Sequence, residues 1–242
     1  MDSIFNGDSF SQESVDLYEK MVSNGKVDQT LSNVSDYDYL TKFHSVGVSH
    51  IISEFIVQGV INRTDEQSET LVRVAVLHDI GKLAISKSIL NKSGKLNKSE
   101  WQKVEKHPID GFHLYALDFD AHEALPILIH HTMQPNYYPS TTKINENALI
   151  QKIDKSELSD EKLLEDCLAL AVADNIEARY PHIDLQNQSP HVRIYGGRRY
   201  AVDDLPSLVR ASFIESGKVK RFNMVDLLDN LLEISRDTFL RK

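Results

Sequence analysis

A single cysteine, Cys167, stands among 242 residues, so no disulfide can form within the chain. That excludes the stapled architecture of small secreted domains and fits a reducing compartment. No apolar run approaches the roughly 20 residues that a membrane-spanning helix requires. The opening MDSIFNGDSFSQES is acidic and polar, without the basic start and apolar stretch of a signal peptide. The expected location is therefore the cytoplasm, with no membrane partner. Positive charge is in deficit as well: 27 Lys and Arg against 36 Asp and Glu leave a net charge of −9 and a pI near 5.6. So acidic a chain is a poor binder of extended nucleic acid or anionic lipid, and a polyanionic substrate would need a local positive site. Internal repeats, low-complexity tracts and βαβ alternation are absent too.

What is present is an ordinary globular composition, 41% hydrophobic and 26% charged. The length suffices for one sizeable core or two small ones. Residues 1–36 form an expected N-terminal appendage. Within it Ser11 to Val22 has the spacing of a short amphipathic helix, through Val15, Tyr18 and Met21, and Asn24-Gly25 breaks it. That helix is the candidate surface for packing on the main domain, for a homodimer or for a signalling-protein partner.

From Tyr39 the pattern is a succession of helices. One spans about Tyr39 to Val60. The next opens at Thr64, with Gln67 completing a capping box, and runs through Leu71, Val74 and Leu77. Leu83 to Leu96 reads as a connector. Asn97 with Glu100 marks another capped start, and Pro108 places His107 at a break between helices. Further helices are expected from Ala121 to His131 and from Ser159 to Tyr180. The polar stretch Pro181–Asp203 lacks periodicity, and Leu205–Leu240 returns to helix with Val225, Leu228, Leu232 and Ile234 as core candidates. The expected fold class is all-α.

Chemistry is concentrated at His78-Asp79-Ile80-Gly81-Lys82. A carboxylate supplies a hard oxygen and a neutral imidazole a borderline nitrogen, a mixture suited to iron, manganese or zinc. Neighbouring helical residues point about 100° apart, so the pair can share one ion only near a helix end, which Gly81 is expected to provide. More donors lie in or beside apolar helical segments: His44, His107, His130, His131 and Asp174. Seven candidate ligands are too many for one tetrahedral site and suit two ions. Asp174 on an apolar stripe is costly to bury without a cation. Lys82, one turn beyond the pair, could bind a phosphoryl oxygen or protonate a leaving group. Arg193, Arg198, Arg199 and Tyr200, beside Gly196-Gly197, form a basic, aromatic cluster that could meet phosphate or guanine.

The stretch VAVLHDIGKLAISKSILNKSGKLNKSEWQKVEKHP, Val74 to Pro108, resembles the core signature of the HD-GYP subgroup of the HD phosphohydrolase superfamily. The likeness extends more thinly from Tyr39 to Leu232. It implies an HD-domain helical bundle over residues 37–242, with the extra C-terminal helices of that subgroup. It implies a first metal on His44, His78, Asp79 and Asp174, and a second sharing Asp79 and adding His107, His130 and His131. Iron would be the expected metal, with manganese as the alternative. Lys82 would face the site beside the bridging Asp79. The implied reaction is hydrolysis of cyclic di-GMP to linear pGpG, and onward to GMP, by a hydroxide held between the two cations.

The chain also departs from that pattern. The subgroup follows its histidine pair with Glu and ends the motif in Gly-Tyr-Pro; here the run is HHTMQPNYYP, with Thr132 for the acid and Tyr137-Tyr138-Pro139 at the end. A third metal is thereby put in doubt, as is the identity of the substrate. The arginine-bearing motif that follows the last aspartate diverges after Asp174-Asn175-Ile176-Glu177-Ala178. Two other functions therefore stand beside the first. One is a phosphohydrolase for another cyclic dinucleotide, a nucleotide or an RNA end, and the other is a catalytically silent cyclic-dinucleotide receptor.

Overall fold

The computed structural model describes residues 10–133, 138–139, 160–179, 182–184, 189–191, 205–215, 217–221 and 224–240. Helix α1 (Gln12–Val22) is capped by Ser11, whose hydroxyl accepts from the Ser14 amide. Asn24 and Gly25 interrupt the chain as expected, but they also open a second helix, α2 (Gly25–Tyr37), with Asn24 as its cap. Val27, Leu31 and Val34 recur at helical spacing in α2 and are all buried. Both helices lie on α3 (Tyr39–Val57) and α4 (Asp65–Leu77), and Met21, Val27 and Leu31 belong to the same core as the rest of the chain. The apolar side of α1 thus faces inward.

Helix α3 is the central strut. It packs against α1, α2 and α4 and against α9 (Glu161–Arg179), so it is buried around most of its circumference. Its composition follows from this position. Val48, Ile51, Ile52 and Phe55 fill the core, while Ser49 and Ser53 satisfy their hydroxyls on backbone carbonyls one turn back. Each such large side chain, fully buried, contributes about 1.5–3 kcal/mol. Helix α9 is equally enclosed, with an unbroken buried run from Cys167 to Ala178. These two helices carry His44 and Asp174, and their contact brings the ends of the ligand series together.

The remaining site-bearing elements are short. The capping box Thr64–Gln67 opens α4, with both reciprocal hydrogen bonds formed. After α4 the chain tightens into a 3-10 turn at Ile80–Ala84 and then α5 (Lys87–Leu90). The Asn97–Glu100 box opens α6 (Lys98–Val104), and α7 (His107–Tyr115) follows with His107 as its first residue and Pro108 next to it. Helix α8 (Leu125–Ile129) leads into a 3-10 turn at His130–Met133.

The polar stretch after α9 contains a small antiparallel ribbon, β1 (His182–Asp184) with β2 (Ser189–His191). Three-residue strands are too short to leave a period in the sequence. Helices α10 (Leu205–Glu215), α11 (Lys218–Arg221) and α12 (Val225–Leu240) complete the chain, with α10 and α12 packed on α9 and on each other. They add Val209, Phe213, Val219, Leu228 and Leu231 to the core. The fold is an all-α bundle, as the periodicity predicts. Among the described residues no helix is long and apolar enough to cross a membrane.

Candidate metal centre

Six chain segments meet at one buried point. His44 comes from the second turn of α3, His78 and Asp79 from the end of α4, and His107 from the start of α7. His130 and His131 come from the turn after α8, and Asp174 from α9. All seven candidate ligands are thus gathered, and all are buried except His131, which is largely so. Their donor atoms fall into two groups, His44 with His78 and Asp79, and His107 with His130 and His131.

Asp79 stands between the groups. Its Oδ2 lies 3.6 Å from His44 Nε2 and 3.5 Å from His78 Nε2, and its Oδ1 lies 3.1 Å from His107 Nε2. Asp174 also reaches both ways, with Oδ1 3.1 Å from His44 Nε2 and Oδ2 3.8 Å from His131 Nδ1. The imidazoles crowd one another, with ring centroids 5.2 Å apart for His44–His78 and 5.3 Å for His78–His130. Lys82 reaches from the 3-10 turn to Asp79 Oδ2.

The local backbone explains why these rings point inward. Nδ1 of His78 contacts the Ala75 carbonyl at 2.8 Å, Nδ1 of His107 the Val104 carbonyl at 2.8 Å, and Nδ1 of His130 the Ile127 carbonyl at 2.6 Å. Each carbonyl belongs to the last turn of a helix, where no amide follows to claim it. A carbonyl only accepts, so Nδ1 carries the proton and Nε2 is left with its lone pair. The Nε2 atoms of His78, His107 and His130 are buried and make no hydrogen bond. Three bare lone pairs turned toward two carboxylates are repulsive among themselves and are relieved by a cation. The residues present therefore fit divalent metal ions.

Electrostatics agree with this fit. Burial pushes the imidazolium forms of His78, His130 and His131 down, His131 to about 3. Burial opposes charge on Asp79 as well, yet Lys82 and His78 hold its carboxyl well below the usual range. Asp174 is likewise held low, against burial, by His44 and His131. Burial also disfavours a proton on His44, but Glu177 and Asp174 outweigh it and raise the pKa to about 9. Neutral imidazoles beside ionised carboxylates are the protonation states a cation takes as ligands.

Gly81 has a different role from the one expected. The helix does end at the HD pair, but Gly81 sits inside the 3-10 turn and its φ is not positive. What demands glycine is close approach. A methyl group there would overlap the carbonyl oxygen of His107 and lie 2.5 Å from the Gly111 amide nitrogen. The turn bearing Asp79 and Lys82 thus lies directly on the backbone of α7 that bears His107.

Two features escaped the sequence reading. Glu177, fully buried on α9, contacts Nδ1 of His44. Its signal was its place one turn after Asp174 in an otherwise apolar helix. Gly47 lies against it on α3, where an added methyl would be 2.7 Å from Glu177 Cγ. At the mouth, Tyr138 stacks on His131 at 4.3 Å between centroids, and the half-exposed Trp101 lies 5.9 Å beyond it. Thr132, where the subgroup has an acid, gives its hydroxyl to the Ile129 carbonyl at 2.6 Å. Arg193, Arg198, Arg199 and Tyr200 lie outside the described residues.

An all-helical bundle with a buried two-cluster His/Asp centre defines a candidate metal-dependent hydrolytic scaffold. Residues 42–179 match the family model described as HD domain, and the chain belongs to the HD domain family. That span runs from just before His44 to just past Asp174. The family's phosphohydrolases use divalent metals. Similar relatives bear out the likeness to the HD-GYP subgroup. The cyclic di-GMP phosphodiesterase PA4108 of Pseudomonas aeruginosa is 37% identical over 86 residues, 34% of this chain and 19% of that protein. The 3'3'-cGAMP-specific phosphodiesterase 3 of Vibrio cholerae serotype O1 is 57% identical over 37 residues, 15% of this chain and 8% of that protein. The cyclic di-GMP phosphodiesterase response regulator RpfG of Xanthomonas campestris pv. campestris is 34% identical over 67 residues, 28% and 17% respectively. The chain therefore matches less than a fifth of the length of each relative. No solved structure matches it significantly.

Proposed function

We propose that this chain is a metal-dependent phosphodiesterase that hydrolyses cyclic di-GMP to linear pGpG, and onward to GMP, at a binuclear centre. The observation that carries the reading is the set of bare Nε2 atoms on His78, His107 and His130 arranged about Asp79, whose two oxygens face opposite clusters. His44, His78, Asp79 and Asp174 would hold one ion, and Asp79 with His107, His130 and His131 the other. The donor set has imidazole and carboxylate but no thiolate, which favours iron, with manganese as the alternative. Divalent ions at such a site supply Lewis acidity toward the phosphodiester and lower the pKa of water.

The chain's own residues do the rest. Asp79 and Asp174 place negative charge where cations must neutralise the substrate. Lys82 stands beside Asp79, where its ammonium can meet a phosphoryl oxygen or protonate the departing ribose oxygen. Arg193, Arg198, Arg199 and Tyr200 are the candidate contacts to the remaining phosphate and guanine. In this reading residues 37–242 form the phosphohydrolase unit and 1–36 an addition to it, acting in the cytoplasm.

A second substrate is favoured by a specific observation, the 57% identity to a 3'3'-cGAMP-specific phosphodiesterase over part of the chain. The test is metal analysis after anaerobic purification, then incubation with cyclic di-GMP and, separately, 3'3'-cGAMP, with products separated by chromatography. Two metals per chain with a linear dinucleotide from cyclic di-GMP support the proposal. Turnover of 3'3'-cGAMP alone replaces the substrate. A metal-free chain that binds either dinucleotide without cleaving it makes this a receptor.

A further inference from the structure

Three of the ligand histidines sit at helix ends, where a spare carbonyl one turn back takes the Nδ1 proton. His44 cannot do this. It lies inside α3, where the carbonyls of Leu40 and Thr41 already accept from amides four residues on. Without another partner its ring would be free to rotate and to choose either tautomer. The partner present is a carboxylate, Glu177, fully buried and reaching across from α9. The same helix carries Asp174 one turn earlier, so one face of α9 presents a ligand and a brace to the same ring.

The brace depends on a cleared space. At Gly47, one turn after His44, a methyl would stand 2.7 Å from Cγ and 3.1 Å from Oε1 of Glu177. Contacts that close do not occur with a methyl, so any other residue at 47 displaces the carboxylate. We infer that Glu177 is a positioning residue that fixes the tautomer and orientation of His44 for metal binding, and that Gly47 is glycine to admit it. This inference rests on the metal-centre reading above.

A charged acceptor also makes the ring a stronger donor than a carbonyl acceptor does, so the His44 site should be the more sensitive of the two. The test titrates Mn2+ into metal-stripped full-length protein in competition with a fluorescent chelator, for wild type, Glu177→Gln, Glu177→Ala and Gly47→Ala. Two manganese sites in the wild type are the precondition, and failure to find them refutes the metal reading itself, not the brace. Given two sites, Glu177→Ala and Gly47→Ala should weaken one of them 10- to 100-fold and leave the other within about twofold. Glu177→Gln keeps an acceptor and should weaken the same site less. Equal affinities for both sites in all variants overturn the inference, as does equal loss at both.

A measurement on the wild type covers variants that fail to fold. In the Zn2+-loaded protein, proton NMR should show the His44 Nδ1–H shifted further downfield than those of His78, His107 and His130. A His44 protonated on Nε2 overturns the inference.

Discussion

Substituting Gly81 by Ala adds one methyl group where two backbones meet. The new carbon would overlap the His107 carbonyl oxygen and stand 2.5 Å from the Gly111 nitrogen. Ordinary contact begins near 3.4 Å, so the 3-10 turn and α7 must part by about 1 Å. Neither neighbour is a flexible side-chain tip that could swing aside. Overpacking of this kind costs about 1–3 kcal/mol, set against about 0.4–1 kcal/mol recovered from a less flexible unfolded chain. The net expectation is a loss of about 1–2 kcal/mol. With a urea slope of about 2–3 kcal/mol per molar, the midpoint of the metal-free protein falls by roughly 0.5 M. Because Asp79 and His107 sit on the two parting segments, their 3.1 Å approach opens and metal content should drop with the midpoint. Gly25→Ala is the control. Nothing lies within 4 Å of its added carbon, and the midpoint should hold or rise. A Gly81→Ala protein with wild-type midpoint and full metal content would refute the close-approach argument.

The other predictions concern the centre and the N-terminal packing. Asp79→Ala should abolish hydrolysis and empty both metal positions, since each oxygen faces a different cluster; elemental analysis checks this. Lys82→Ala should lower turnover of cyclic di-GMP while metal content stays near two, and equal loss of metal would make the lysine structural. His50, buried between Phe10 and Tyr18, has its pKa lowered to about 4 by burial. The folded state then resists protonation and the unfolded state does not. Its contribution is whole above pH 6.5 and lost as pH falls toward 4, about 2 kcal/mol by pH 5. Asp166, pushed up to about 6 by burial, titrates in the opposite sense, so the comparison must be between proteins. Denaturation at pH 7 and pH 5 should show a larger acid loss for wild type than for His50→Phe, and equal losses would sink the argument.

The ligand series was legible because each donor interrupts a strong apolar period, and Thr64 and Asn97 announced their helices through side chains that can only be caps. Helix α2 was missed because Asn24-Gly25 signals both a break and a start, and the break was given weight over Val27, Leu31 and Val34. Glu177 was invisible for a different reason. A carboxylate one turn from another has no meaning until the facing helix is known, and only the α3–α9 contact shows which ring it serves. The need for glycine at 47 and 81 is likewise a fact about second segments, His107 and Glu177, far away in sequence. Gly81 was noticed for its conformational freedom, whereas its lack of a side chain is what matters.

The opening deficit of cysteine acquires a counterpart in the ligand map. Donors at positions 44, 78, 79, 107, 130, 131 and 174 would, once joined through shared ions, close covalent-scale loops through most of the helical bundle. A link closing a loop of about 100 residues restricts an unfolded chain by roughly 4–5 kcal/mol in the chain-entropy model. Ions at this centre would thus staple α3, α4, α7, α8 and α9 together in a chain that cannot form an internal disulfide.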